Sequence, residues 1–130
     1  MYRYTDFDRR FVHARAAQFR DQLERHLRGQ LPDDEFKALR LQNGWYVQRH
    51  APMLRVAIPY GEMSSTQLRA LARIAREHDR GFAHLTTRQN VQFHFMKLHD
   101  VEKALRRLAE AGLTSREACG NSVRNVTACP

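Results

Sequence analysis

Cysteine, lysine and long apolar runs are scarce in this sequence. Its two cysteines, Cys119 and Cys129, argue against a disulfide scaffold and cannot by themselves hold a four-thiolate zinc or iron–sulfur site. No apolar run approaches the roughly 20 residues of a transmembrane helix, and the opening residues lack the apolar segment of a secretory signal. These absences predict a cytoplasmic protein with no membrane partner.

Arginine supplies nearly all of the positive charge. The 130-residue chain is close to one ordinary domain in length, and its 42% of hydrophobic residues is typical of a globular protein. It carries 22 cations against 14 acids, a net charge of +8, and 19 of the cations are arginines. The guanidinium fork suits carboxylates, phosphates and sulfite-like oxyanions. Most of these arginines alternate with acids along predicted helices, so we expect them to be solvated.

The first 50 residues predict two helices and a short strand. Apolar residues at helical spacing follow Asp8, which is the predicted N-cap of the first helix. A second, shorter helix is predicted to start at Pro32, because proline is favoured at the first helical position. It ends at Asn43–Gly44, and residues 45–48 predict a short strand.

From residue 51 the pattern predicts the order β-α-β-β-α. The predicted strands cover residues 53–58, 82–86 and 91–96; the predicted helices begin at a capping box of Ser64 with Gln67 and at a cap from Asp100. This order is typical of an α+β, ferredoxin-like half-domain in which the last strand is incomplete.

The predicted domain organisation is a helical extension with a short strand at residues 1–50 and the half-domain at residues 51–130. Val123, Val126 and Thr127 are candidates for the beginning of the missing strand. The sequence stops at Cys129–Pro130 without a cap or a polar tail, which predicts a chain truncated before further domains.

Arg55 is the clearest candidate among the arginines, since it lies within an otherwise apolar strand. The two-residue strand period places it on the opposite face from Leu54 and Val56. A charge there either points to the solvent side of a half-exposed sheet or reaches a buried anion. From the strand pattern alone, the solvent-facing alternative is favoured.

The stretch at residues 85–94 (LTTRQNVQFH) is dense in hydrogen-bond donors that suit a polyanionic ligand. An ordinary hairpin turn is the alternative, since threonine, asparagine and glutamine are common in turns. Gln92 and His94 share a strand face, and His84 lies in the preceding strand. Arg124 follows in a loop-like stretch where a backbone can approach a ligand. The sequence contains no Gly-rich phosphate loop and no Ser/His/Asp arrangement.

Three ordered segments resemble successive motifs of the sirohaem-dependent nitrite and sulfite reductases. They are residues 51–61 (APMLRVAIPYG), 85–94 (LTTRQNVQFH) and 120–126 (GNSVRNV). The opening Met-Tyr-Arg-Tyr and residues 39–44 (LRLQNG) extend the resemblance over essentially the whole chain. The chain looks most like the N-terminal part of the haemoprotein subunit of a bacterial assimilatory sulfite reductase.

The resemblance implies six-electron reduction of sulfite to sulfide, or of nitrite to ammonia, at a sirohaem coupled to a 4Fe-4S cluster. Carried over by motif, Arg55 and Arg124 are expected to face the bound oxyanion and to support proton delivery. The residues expected to line the macrocycle and its carboxylates are Thr86, Thr87, Arg88, Gln92 and His94, with Asn121 as a further candidate. His84 stands where some relatives have an arginine.

The implied partners are sulfite or nitrite, an electron donor that is a flavoprotein or a ferredoxin, and the remaining domains of the parent enzyme. The family's cluster cysteines and active-site lysines lie in later domains, and Cys119 and Cys129 do not match the cluster motif. We therefore expect no metal ligand in this chain and no turnover by these residues alone.

Two other classes remain compatible with the residues. A basic ferredoxin-like module can bind nucleic acid, but Phe93 and Phe95, which share a strand face, follow no known base-stacking motif. We therefore expect no nucleic-acid partner. A structural or regulatory module that binds a small anion is the third alternative.

Overall fold

The computed structural model describes residues 3–116, 118, 123 and 125–129. The elements in chain order are α1 (Asp6–Leu27), α2 (Asp33–Gln42), β1 (Trp45–Tyr46), β2 (Met53–Val56), a single 3-10 turn (Pro59–Gly61), α3 (Ser65–His78), β3 (His84–Leu85), β4 (Val91–Phe93) and α4 (Leu98–Glu110). The strands form a four-stranded antiparallel sheet in the order β1-β2-β4-β3. The α+β prediction, with N-terminal helices before a ferredoxin-like half-domain, is confirmed.

The register between β2 and β4 separates an apolar sheet face from a polar one. Leu54 lies opposite Phe93 and Val56 opposite Val91, and all four side chains are buried. Between these pairs, Arg55 lies opposite Gln92 and therefore points to the other face. The pairing of His84 with Gln92 places the histidine on that same polar face.

The helices cover the apolar face and share one core with it. Phe19 of α1 and Phe36 of α2 belong to the same buried cluster as the sheet residues and the helical Ile74 and Leu108. Helix α1 packs against α4, and α3 packs against α4 as well. The indole Nε1 of Trp45 donates to the carbonyl of Met96 at 2.9 Å, which satisfies its buried polar group. Within the described residues, no helix is long and apolar enough to cross a membrane.

Three predicted helix starts differ from the observed ones, that of α2 by one residue and those of α1 and α4 by three. Helix α1 is capped by Thr5, whose hydroxyl accepts from the Asp8 amide while the Asp8 carboxylate accepts from the Thr5 amide, so Asp8 completes a capping box. Pro32 has extended backbone angles and is itself the cap of α2. Lys97, not Asp100, precedes α4, and Asp100 lies in its first turn. The predicted capping box of Ser64 with Gln67 is confirmed.

The strands are shorter than the sequence predicted. β2 ends at Val56, and the next residue, Ala57, forms an isolated antiparallel bridge with Thr114. The predicted strand at residues 45–48 covers two residues. Val123, Val126 and Thr127 are not in a strand. Beyond Val56 the backbone pairs with the chain after α4 instead of continuing β2. Local sequence patterns do not report such tertiary contacts.

Gly44 allows the backbone to approach the sheet closely at the start of β1. Its φ is +76°, and a Cβ built there would lie 2.5 Å from the Ser115 carbonyl oxygen and 2.7 Å from that of Arg55. Its own carbonyl accepts from the Arg55 amide at 2.9 Å. The position therefore requires glycine for both conformation and space.

Gly44→Ala is expected to lower the free energy of unfolding by about 2–4 kcal/mol, because alanine is strained at positive φ and meets two backbone carbonyls. Gly29→Ala is the matched control: its φ is +71°, but nothing lies within 4 Å of the added Cβ. The control should lose only about 1 kcal/mol. Urea unfolding measures both variants, and equal losses would contradict the close approach.

Candidate anion-binding site

A cleft of about 430 Å³ lies at the end of the sheet where β2 ends and the β3–β4 connection turns back. The lining residues are Arg55, Ala57, Pro59, Tyr60, Thr86, Thr87, Arg88, Asn90, Arg116, Ala118, Val123, Asn125 and Val126. Three of these described lining residues are arginines, and none is Asp or Glu. The cleft is therefore a place of positive potential that favours an anion.

The β3–β4 connection that forms one wall is fixed by its own hydrogen bonds. The Asn90 amide donates to the Thr86 hydroxyl at 3.0 Å, and the Thr86 amide donates to the Asn90 carbonyl at 2.9 Å. Gln89 takes a positive φ of 58°, which closes the turn. The buried Oδ1 of Asn90 accepts from the Ile58 amide at 3.0 Å, so this wall is attached to the end of β2.

Asn125 joins the two loops from the C-terminal side. Its Nδ2 donates to the carbonyl of Ile58 at 2.8 Å and to the carbonyl of Arg88 at 3.0 Å. A side-chain amide has the two N–H groups that this bridge needs. The residue lies within a motif quoted above, but no pattern in the sequence assigned it this role.

Arg55 is half-buried and held by partners on three sides. With its amide oxygen turned towards Arg55, the buried Gln92 accepts from Nε at 2.8 Å and from Nη2 at 2.5 Å. Nη1 donates to the carbonyl of Ala118 at 3.3 Å, and Cζ lies 5.7 Å from the ring centroid of Tyr46. The side chain lies off the core face, as the two-residue strand period predicts, and it is half-buried and hydrogen-bonded to its neighbours.

The structure brings four of the predicted site residues into the cleft: Arg55, Thr86, Thr87 and Arg88. Thr87 and Arg88 are exposed and Thr86 is half-buried. Arg124 and Asn121 lie outside the described residues.

Two predicted residues lie on the polar sheet face beside the cleft rather than in its lining. Gln92 is engaged with Arg55. His94 contacts His84: the Nδ1 of His84 is 3.1 Å from the Nε2 of His94, and the ring centroids are 5.3 Å apart. This contact requires one ring to donate and the other to accept.

Arg116 lines the cleft although it has no sequence signal that separates it from the solvated arginines. It reaches this place through the long-range bridge between Ala57 and Thr114, which a local pattern does not report.

Fold and site together define a class: an α+β half-domain of ferredoxin-like type with an arginine-lined cleft at one end of its sheet. The sequence profile described as "Nitrite/Sulfite reductase ferredoxin-like half domain" matches residues 46–111. The chain belongs to this family, and the resemblance drawn from its motifs is confirmed.

Sequence identities to individual proteins support the family assignment. The chain is 35% identical over 88 residues to the assimilatory ferredoxin-dependent nitrite reductase of Haloferax mediterranei, covering 60% of this chain and 15% of that protein. It is 40% identical over 78 residues to the sulfite reductase [ferredoxin] of Mycobacterium tuberculosis, covering 60% of this chain and 14% of the relative. The chain thus spans about 15% of the length of the curated relatives that it matches.

A solved structure supports the fold. The structure of the Mycobacterium tuberculosis NirA protein superposes on this chain with a TM-score of 0.68 and 24% sequence identity. The superposition covers 89% of this chain and 27% of that chain. The shared architecture therefore includes most of the N-terminal helices as well as the half-domain.

Asn125→Ala is expected to lower the free energy of unfolding by about 1–2 kcal/mol, because two backbone carbonyls lose their donor. Amide hydrogen exchange should also become faster at Gln89 and Asn90, in the connection that Asn125 holds. Val123→Ala serves as the control, since Val123 is 92% exposed. Unchanged exchange at both amides would show that the bridge does not fix this wall.

Burial raises the pKa of the Asp79 carboxyl above its usual range, and backbone N–H groups nearby offset only part of this effect. Neither carboxylate oxygen has a partner in good hydrogen-bonding geometry. The ionised group therefore destabilises the fold above the unfolded-state pKa of 3.8, and the penalty is relieved as pH falls through the raised pKa.

Asp79→Asn is accordingly expected to raise the free energy of unfolding at pH 7. The gain should shrink as the pH falls through the raised pKa of the native Asp79 carboxyl towards the unfolded-state value of 3.8. Thermal unfolding of both proteins across this range measures the difference. A gain that stays constant with pH would mean that ionisation of Asp79 is not its source.

Proposed function

We propose that this chain forms one wall of the sirohaem and oxyanion site of a sulfite or nitrite reductase. The parent enzyme would reduce sulfite to sulfide, or nitrite to ammonia, with six electrons. The observation that carries the proposal is the meeting of Arg55, Arg88 and Arg116, from three separate segments, in a cleft whose described lining contains no carboxylate. Family membership gives this positive site its chemical context.

The residues of the cleft fit a cofactor that carries many carboxylates. Sirohaem has eight, and the lining offers three guanidiniums with the hydroxyls of Thr86 and Thr87. Arg88 and the two threonines, which lie on the β3–β4 connection, would bind carboxylates of the cofactor. The donor-rich sheet face beyond this connection, with Gln92 and His94, would continue this wall. When bound, sirohaem and its 4Fe-4S cluster would pass the electrons from the external donor to the substrate.

Arg55 is suited to hold the substrate oxyanion. A guanidinium has five N–H donors, and three hydrogen bonds to Gln92 and Ala118 fix its plane. The two remaining N–H groups can then bind an anion without a further cost in side-chain conformational entropy. Gln92 is in this account the residue that positions Arg55. Arg124 would face the oxyanion with it, and Asn121 would contribute to the cofactor side.

A guanidinium is a permanently charged group that has N–H donors and no acceptor, so Arg55 acts as a fixed cation and not as a proton donor. The side chain would therefore contribute hydrogen bonds and fixed positive charge as oxygen leaves the substrate as water.

The remaining machinery would come from other parts of the parent enzyme. Among the described residues, no group of three or more His, Cys, Asp or Glu side chains could hold a metal ion. We propose that residues 1–50 form a helical extension, that residues 51–130 form the half-domain, and that the chain alone does not turn over. Its electrons would come from a ferredoxin or a flavoprotein; the relatives named above are ferredoxin-dependent by name.

Sirohaem titrated into the chain should shift its Soret band on binding. Arg55→Ala and Arg88→Ala should each weaken binding roughly three- to tenfold, since each removes a charge-assisted contact worth about 1 kcal/mol or more. Arg76→Ala is the matched control, because Arg76 is an exposed arginine on α3 outside the cleft. This variant should bind sirohaem as tightly as the unsubstituted chain does.

Two results would contradict the proposal. One is the absence of a Soret response from the parent chain, and it would be decisive if DNA binding with a steep salt dependence took its place. The other is equal affinity of the Arg55, Arg88 and Arg76 variants, which would mean that the cofactor binds elsewhere.

A further inference from the structure

We propose that Arg116 is a third anion-binding residue of the cleft and that Phe11 of helix α1 positions it. The inference rests on the proposed anion-binding role of the cleft and extends it to a residue outside the motifs at 51–61, 85–94 and 120–126. It also gives helix α1 a role in the binding site, in addition to its role in the hydrophobic core.

The backbone of Arg116 is fixed beside the end of β2. The Ala57 amide donates to the Thr114 carbonyl at 2.9 Å, and the Arg116 amide donates to the Thr114 hydroxyl at 3.1 Å. The buried hydroxyl of Ser115 donates to the carbonyl of Asn43 at 2.7 Å. Ala57 lies two residues beyond Arg55, so these bonds anchor Arg116 on the same end of the sheet as Arg55.

Phe11 supports the guanidinium of Arg116 from the side of α1. The Cζ of Arg116 lies over the Phe11 ring at 5.7 Å from its centroid, and the Cζ of Arg15 lies over the same ring at 5.4 Å. Phe11 is 40% exposed and stacks on Phe7 at a centroid distance of 6.2 Å. A phenylalanine that stays outside the core yet contacts two guanidiniums restricts where those cations can lie.

The arrangement suits a ligand that carries more than one negative charge. Arg55, Arg88 and Arg116 come from three segments and line a cleft whose described lining contains no Asp or Glu, and a ligand with several negative charges can contact all three. A guanidinium fork binds carboxylate and sulfite oxygens through its N–H groups. The ligand chemistry is therefore an oxyanion, supplied either by a tetrapyrrole carboxylate or by the substrate.

Two probes distinguish these sources with the full chain. Uroporphyrin, an iron-free tetrapyrrole with eight carboxylates, is followed by fluorescence anisotropy, and sulfite is followed by the arginine Nε–H signals in NMR spectra. Arg116→Gln should weaken the binding of at least one probe three- to tenfold. Arg116→Lys should recover part of it, because lysine keeps the charge but not the fork. Arg76→Gln is the charge-matched control.

Phe11→Leu separates positioning from general stability. It should weaken the same probe two- to fourfold in the parent chain and have no further effect in the Arg116→Gln background, because the ring acts through Arg116. An effect of Phe11→Leu that persists in that background would overturn the positioning role.

Failure of this inference is distinguishable from failure of the proposed function. If uroporphyrin binds and depends on Arg55 and Arg88, while Arg116→Gln binds both probes as the parent chain does, the inference is wrong and the proposed function stands. If uroporphyrin does not bind but sulfite moves the Arg116 Nε–H signal, the inference holds and the sirohaem role fails. No response to either probe would overturn both.

Discussion

The antiparallel register of β2 against β4 is the constraint on which the rest of the structure depends. The pairs of Leu54 with Phe93 and of Val56 with Val91 bury four apolar side chains against the helices. Because the strand period is two, this same register forces Arg55 and Gln92 together on the opposite face. A slip by one residue would put the guanidinium into the core, so the hydrophobic energy of the core also fixes the position of the candidate substrate-binding group.

The cleft is assembled at the point where the regular pairing ends. β2 gives way to the turn at Pro59–Gly61, and the chain after α4 approaches it through the Ala57–Thr114 bridge. Asn90 and Asn125 then satisfy backbone groups of Ile58 and Arg88 that lie beyond the regular strand pairing. The site therefore consists of loops held by side-chain amides on a rigid sheet, an arrangement that fixes donors while leaving room for a ligand.

Local patterns in the sequence predict the elements but not the long-range contacts. Helical spacing and the Ser64 capping box give the helices, and strand alternation puts Arg55 on the polar face. The same patterns miss Thr5 as a cap, since Asp8 three residues later has equal capping chemistry. They also miss Arg116 and Asn125, which reach the cleft through contacts between residues far apart in the chain. Thr86, Thr87 and Arg88 are predicted because they lie within the family-like motif at residues 85–94.

The central claim is that the arginine-lined end of the sheet receives the cofactor. NMR chemical-shift mapping of the full chain during a sirohaem titration tests it most directly. We predict that the perturbed amides cluster at Arg55 and Ala57, along the connection from Thr86 to Asn90, and at Arg116, while amides on α3 stay unchanged. Perturbations centred on α3, or spread over the basic surface without preference for the cleft, would contradict the account.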